Sequence, residues 1–386
     1  MIGVTGTKGK TTTTHMIRAI LQAAGKKVGM IGTTGTMIGD VVTPTLNTTP
    51  ESYELHQAFS QMVEAGCEYA VMEVSSQGIK MHRTDGLYFD YGIFTNISPD
   101  HIGPGEHADF EEYLYYKTRL LNMCRIGLVN KDDEHAEQII KAADCELYTY
   151  SEKGKEADFS ASDIRYVSQP DFVGTEFHIS GKYDMEVRLG IPGLFNVVNA
   201  LAAVSVCSFL DLDKEKISHA LEHIRVNGRM EIVYTSERCT VLVDYAHNAV
   251  SMESLLSTLR DYKPKRLVCV FGCGGNRSKD RRYSMGEIGG KLADLSIITA
   301  DNSRYEKVED IIADIRGSIE KTGGSFIEIP DRREAIRYSI LQAQPGDMVA
   351  VIGKGHEDYQ EINGVRHHFL DREVIEETVK ELGEKA

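Results

Sequence analysis

Short apolar runs alternate along the chain with longer stretches whose apolar residues recur every three or four positions. That pattern predicts strands alternating with amphipathic helices, and so an α/β protein built on mostly parallel sheets. Ile2-Gly3-Val4 reads as a strand, and Thr12–Ala24 places Met16, Ile17, Ile20 and Leu21 at helical spacing before Gly25 stops it. Residues 28–31, 69–74 and 91–95 read as buried strands. Residues 110–123 read as a helix with Tyr113, Tyr116, Leu120 and Leu121 along one stripe. Residues 145–192 alternate polar and apolar between turn signals, which predicts an antiparallel meander, followed by helices at 196–210 and 214–224. After Asn227-Gly228-Arg229 the alternation restarts, with strands at 240–244, 266–271, 295–300 and 348–352 and a helix at 251–262. This predicts two domains, 1–226 and a smaller Rossmann-like α/β domain at 227–386, with no internal repeat.

Composition narrows the classes. Hydrophobic residues make up 41% and charged residues 26%, which excludes a disordered or fibrous chain. The net charge of −15 argues against a nucleic-acid-binding surface. No apolar run reaches membrane-spanning length and Met1-Ile2-Gly3-Val4 is no signal peptide, so no membrane partner is expected and a cytoplasmic location is. Seven cysteines lack Cys-x-x-Cys spacing, and Cys269 and Cys273 read as free thiols rather than a metal knuckle.

The first chemistry lies between the first strand and the first helix. In Gly6-Thr7-Lys8-Gly9-Lys10-Thr11-Thr12 the glycines let backbone N–H groups turn onto phosphates, and the helix N-terminus adds partial positive charge. Lys10 is placed to reach the terminal phosphate oxygens, and Thr11 offers a hydroxyl to Mg²⁺. The strict phosphate-loop spacing fails, since its first glycine falls on Val4. Strand, Gly-Lys-Thr and helix in this order nevertheless predict a nucleoside triphosphate site and make the first domain a P-loop domain.

With Asn47-Thr48-Thr49-Pro50, Glu73-Val74-Ser75-Ser76 and Thr95-Asn96-Ile97-Ser98-x-Asp100-His101, the loop resembles the central domain of the Mur ligase family. Gly228-Arg229-Met230-Glu231, Asp244-Tyr245-Ala246-His247, Gly272-Cys273-Gly274-Gly275, Asp301-Asn302-Ser303-Arg304 and Gly353-Lys354-Gly355-His356-Glu357 continue the resemblance in the family's order. Together they look most like the MurE-type branch. The resemblance implies ATP-dependent amide-bond formation in peptidoglycan precursor synthesis. The expected partners are small molecules, a UDP-muramyl dipeptide and an amino acid, on a monomer with hinge motion.

A carboxylate is a poor electrophile, so ATP must first convert it to an acyl phosphate that an amine then attacks. Bringing two anions together calls for dense positive charge, which Lys10, Mg²⁺ and Arg229 would supply. Glu73, at a buried strand end, would hold the first Mg²⁺ with Thr11. The resemblance makes His101 a second-metal contact and makes Lys117 a lysine carbamylated by CO₂, hence a metal ligand; helix position alone would read Lys117 as a snorkelling surface residue. Asn47, Thr48, Thr49, Ser75 and Arg83 are implied to contact the muramyl peptide. Asn196 and Asn199 would contact adenine or serve as helix caps, and Asp244 and His247 would approach the nucleotide on closure.

In the second domain the resemblance assigns the incoming amino acid to Asp301, Asn302, Ser303, Arg304, Gly353 and Glu357. Arg304 and Arg277 would clamp the distal carboxylate of meso-diaminopimelate, which lysine lacks, and Glu357 would read an ammonium. The Asp331-Arg332-Arg333-Glu334 run reads as a helix-start charge cluster with no chemistry. Lys8 stands for the family's usual Asn, Met81 for a Gln and Ser303 for a Pro, and the loop from His101 to Tyr113 is two residues longer. The chain starts at the central domain's first strand, so the family's UDP-binding N-terminal domain is expected to be absent. A related ligase acting on another peptide or γ-glutamyl acceptor, as folylpolyglutamate synthetases do, is the alternative.

Overall fold

The computed structural model describes residues 1–383, and the chain divides into two compact units. The first comprises Met1–Arg165, Thr175–Leu189 and Leu194–Ile224; the second comprises Tyr166–Gly174, Gly190–Gly193 and the chain from Arg225 onward.

The first unit is organised by an eleven-stranded sheet. Its strands are β1 (Ile2–Thr5), β2 (Val28–Gly32), β3 (Gly35–Ile38), β4 (Val41–Thr43), β5 (Tyr69–Glu73), β6 (Phe89–Phe94), β7 (Cys124–Asn130), β8 (Glu146–Ser151), β9 (Phe159–Gln169), β10 (Phe172–Gly181) and β11 (Met185–Leu189). They lie in the order β11-β10-β9-β8-β7-β6-β1-β5-β2-β3-β4. Seven strands in a row, β9 to β2, run parallel, while β2-β3-β4 is an antiparallel edge. Continuous apolar runs such as Ile2 to Thr5, buried at all four positions, are what a parallel strand covered on both faces requires. The helix Lys10–Ala23 buries Met16, Ile17, Ile20 and Leu21, and it packs beside the almost wholly buried helix Leu194–Cys207.

Two expectations are corrected here. The predicted meander does not begin at 145, because β8 pairs parallel with β7, from Ile126↔Glu146 to Asn130↔Tyr150. Glu146 is exposed and Leu147–Thr149 are half-buried, so β8 carries the polar-apolar mixture of a one-sided strand while lying in the parallel sheet. The stretch 110–123 is α-helical only over Phe110–Thr118 and tightens to a 3₁₀ turn at Arg119–Asn122. That turn still buries Leu120 and Leu121.

The second unit holds β12 (Glu231–Thr235), β13 (Cys239–Asp244), β14 (Arg266–Phe271), β15 (Leu295–Ile298), β16 (Phe326–Glu328) and β17 (Asp347–Ile352). Their order is β12-β13-β17-β14-β15-β16, with β12 antiparallel and the rest parallel. A hairpin, β18 (Tyr359–Ile362) with β19 (Val365–His368), completes it. Three helices absent from the sequence reading, Lys279–Leu292, Val308–Thr322 and Asp371–Glu381, belong to this unit, as does Arg332–Leu341, which begins at the expected helix-start charge cluster and is capped by Asp331. The chain is therefore the mixed α/β protein its patterning predicts, and no described helix is long and apolar enough to cross a membrane.

Candidate active site

In the first unit the glycine loop leaves the C-terminal end of β1, where parallel α/β sheets place ligands. Its backbone is tied to the end of β6: Thr7 N–H donates to Asn96 O at 2.8 Å, and Lys8 N–H to Asn96 Oδ1 at 2.9 Å. Gly9 is left-handed, with φ +86°, and a Cβ there would sit 2.3 Å from Asn199 Oδ1. Any other residue meets both strain and collision at this point. Lys10 folds its ammonium over the loop and donates to Gly6 O at 2.9 Å and Thr7 O at 3.2 Å. Thr12 is buried in the first helical turn, and the Thr7 hydroxyl lies 3.1 Å from that of Tyr113.

Glu73 ends β5 beneath this loop and is 1% exposed. Its carboxylate accepts from Thr11 Oγ1 at 3.0 and 3.1 Å, from Thr33 N–H at 2.9 Å and from Thr33 Oγ1 at 3.2 Å. Gly32 makes room, since a Cβ there would meet Glu73 Oε1 at 2.3 Å. Among the described residues Glu73 has hydrogen-bond donors and no ion pair. A buried carboxylate without a cation, touching a hydroxyl at the foot of a phosphate loop, is the donor set a divalent cation fits.

Lys117 is not a snorkelling residue. It is 2% exposed, its Nζ donates to Gly6 O at 2.7 Å, and it lies 4.6 Å from the centre of the Tyr113 ring. Burial, reinforced by the charge on Lys10 and opposed by Asp100, holds it well below the usual lysine range. The structure gives it no ion pair among the described residues.

The structure places His101 differently. Its backbone is left-handed at φ 53°, its side chain is exposed, and Nδ1 lies 3.0 Å from Glu106 Oε1. It has no hydrogen bond to Thr11, Glu73 or Lys117. Its loop is held from inside by a residue the sequence did not flag. His107 is fully buried with Nε2 2.9 Å from Ser76 Oγ, while Lys80 reaches Glu106 O at 2.8 Å and Glu112 at 3.0 Å.

Thr49 is buried and bridges the end of β5, donating to Glu73 O and accepting from Ser75 N–H. Ser75 caps the helix Ser76–Lys80 through Gly78 N–H. Arg83 donates to Thr49 O at 3.1 Å and pairs with Glu51 at 2.7 Å, and Thr48 touches Thr33 at 3.0 Å; Asn47 is half-buried beside them. Asn196 and Asn199 are not caps. Both are buried inside the helix Leu194–Cys207, where Asn199 Nδ2 donates to Asn196 Oδ1 at 3.1 Å and Oδ1 faces Gly9.

In the second unit, loops at the C-terminal ends of β13, β14, β15 and β17 enclose a cavity of about 300 Å³. Arg277, Asp301, Asn302, Arg304, Gly353 and Glu357 line it, as do His247 and Arg281; Ser303 is buried and does not. Asn302 Nδ2 donates to Glu357 Oε2 at 3.1 Å. Lys354, fully buried and given no role in the sequence reading, reaches the same oxygen at 3.3 Å. Arg229 stacks 4.8 Å from the Tyr245 ring. Both Asp244 oxygens accept backbone N–H groups, of Met230 and Ala246, and burial pushes its carboxyl up. His247 Nδ1 donates to Tyr245 O at 2.8 Å.

Residues 4–207 match the Mur ligase middle domain, and residues 228–355 match the Mur ligase glutamate ligase domain. The chain belongs to the Mur ligase family. It is 41% identical to the UDP-N-acetylmuramoyl-L-alanyl-D-glutamate--2,6-diaminopimelate ligase of Caldanaerobacter subterraneus subsp. tengcongensis, over 99% of this chain and 78% of that protein. It is 40% identical to ligase 1 of the same name from Clostridium acetobutylicum, again over 99% and 78%. A solved structure of a ligase of that name superposes with a TM-score of 0.77 at 34% identity, covering all of this chain and 79% of the other.

Members of the Mur ligase family are ATP-dependent amide-forming ligases. In this Mur ligase, Gly9→Ala is expected to weaken ATP binding about tenfold or more, because the added methyl costs roughly 1.4 kcal/mol or more in the left-handed turn. Calorimetric titration of the variant against the unaltered protein measures it.

Proposed function

We propose that this chain joins meso-diaminopimelate to UDP-MurNAc-L-Ala-D-Glu at the expense of ATP, in the cytoplasm, as a monomeric step of peptidoglycan precursor synthesis. The observation that carries the reading is the Thr11–Glu73 junction under the glycine loop, a buried carboxylate that meets hydrogen-bond donors and no cation among the described residues. The names of the relatives and the arginine-lined cavity support the choice of amino acid.

Thr11, Glu73 and a carbamylated Lys117 would hold Mg²⁺, and His101 would join them only after leaving Glu106. The ion would neutralise phosphate charge as the acceptor carboxylate displaces ADP from the γ-phosphorus. Lys10 would move from the loop carbonyls it now meets to the phosphate oxygens. The amine of the incoming amino acid then attacks the acyl carbon, phosphate leaves, and one proton is released. Arg229, Asp244, His247, Asn196 and Asn199 are proposed to line the nucleotide's path, and Asn47, Thr48, Thr49, Ser75 and Arg83 that of the muramyl peptide. Carbamylation joins the neutral Lys117 amine to CO₂, forming one N–C bond with loss of one proton. The depressed basicity of the buried amine supports it.

Purified protein with ATP, Mg²⁺ and UDP-MurNAc-L-Ala-D-Glu is expected to release phosphate only when meso-diaminopimelate is added, with lysine and ornithine far poorer. Coupled phosphate assay measures this; silence with all three amino acids would move the assignment to another acceptor.

A further inference from the structure

The cavity in the second unit carries three arginines whose charges are met unequally. Arg304 donates Nη1 to Gly275 O at 2.8 Å and has Nε 3.6 Å from Glu361. Arg282, just behind the cavity wall, is 1% exposed and locked by Glu306 at 2.8 Å and Asp314 at 2.9 Å; Lys279 shares Asp314. Arg277 and Arg281 line the cavity and have no side-chain hydrogen bond or ion pair among the described residues.

Position adds to the imbalance. Arg281 lies in the first turn of the fourteen-residue helix Lys279–Leu292, and Arg277 just precedes its cap, Ser278. The free N–H groups of a helix start carry partial positive charge; Asp280, the acid of that turn, takes the Ser278 hydroxyl at 3.2 Å and pairs with neither arginine, so the two guanidinium groups still call for an added anion. The cavity's own acids are engaged elsewhere: Asp301 Oδ1 accepts Asn302 N–H at 2.5 Å, and Glu357 is held by Lys354, Asn302 and Tyr245.

We infer that Arg281, together with Arg277, holds a carboxylate of the incoming amino acid, which makes Arg281 a specificity-determining residue. This rests on the reading of the cavity given under Proposed function. A diamino acid with a carboxylate at each end supplies one anion for this pair and a second for Arg304, whereas lysine supplies one in all. A guanidinium pair grips a carboxylate by parallel N–H donors, which an ammonium cannot reproduce.

Arg281→Met is expected to raise the KM for meso-diaminopimelate about 10- to 100-fold, with kcat within about threefold and the KM for ATP unchanged. Arg281→Lys recovers only part of the loss, and thermal melting of both variants confirms the fold. An unchanged KM for the amino acid in Arg281→Met, or a KM for ATP that rises instead, would overturn the inference. Calorimetric titration with meso-diaminopimelate, with ADP and acceptor present, separates this inference from the reading beneath it. Binding by the unaltered protein that is lost in Arg281→Met upholds the role of Arg281 even if turnover is missing. Equal binding by both proteins overturns that role while leaving the ligase activity standing.

Discussion

Lys117→Ala is expected to lower the rate of ADP formation by about 100- to 1000-fold, the scale of losing one preorganised charge at a phosphoryl-transfer centre. The side chain is enclosed, reaches Gly6 O in the loop itself, feels the charge of Lys10 and, more weakly, of Asp100, and has no ion pair among the described residues. Left as an ammonium it would add to a cationic site; as a carbamate it would become an anionic ligand. Truncation to alanine leaves a space that a short-chain carboxylic acid fits, so acetate or propionate should restore part of the rate. Under ¹³C-labelled CO₂ the unaltered protein should show a carbamate resonance that Lys117→Ala lacks. Full turnover in the variant would discard the carbamate.

Asp371→Ala is expected to destabilise the protein by about 3–5 kcal/mol, the usual consequence of removing one partner of a buried pair. Arg332 and Asp371 are both almost fully buried and meet through two hydrogen bonds of 2.7 Å. The guanidinium also donates to Ala300 O at 3.2 Å and Ile352 O at 3.0 Å, the residues just before Asp301 and Gly353. Without Asp371 a charged group stays buried against two carbonyls that cannot neutralise it. Replacing both partners by apolar residues, Arg332→Met with Asp371→Leu, should recover most of the loss, since the desolvation cost disappears with the charges. Urea unfolding of the three proteins measures each step.

The sequence showed the parallel core and the loop because both are written locally. Four consecutive buried positions at Ile2–Thr5 cannot be half-exposed, and glycines followed by Lys-Thr at a helix start have few other uses. Relations across the chain were less legible. Arg332 sat in a run that read as a helix-start charge cluster without chemistry; Asp331 does cap the helix Arg332–Leu341, but the partner of Arg332 lies 39 residues on. Lys354 stood inside a quoted motif, yet nothing local showed that its ammonium is enclosed with Asn302 and Glu357. His107 had only an unusually long loop to announce it, and its burial depends on Ser76, 31 residues earlier. β8 was misplaced because a parallel strand with one open face carries the same alternation as an antiparallel one.

The second unit is assembled from three separate stretches of polypeptide, and this governs how the gene can be divided. Tyr166 sets its ring 5.1 Å from that of Tyr262, and the Tyr262 hydroxyl accepts Gly193 N–H at 2.9 Å. A fragment begun at Arg225 would therefore uncover an aromatic side chain and strip its hydroxyl of a donor, so surgical separation of the lobes leaves a wound instead of a free module.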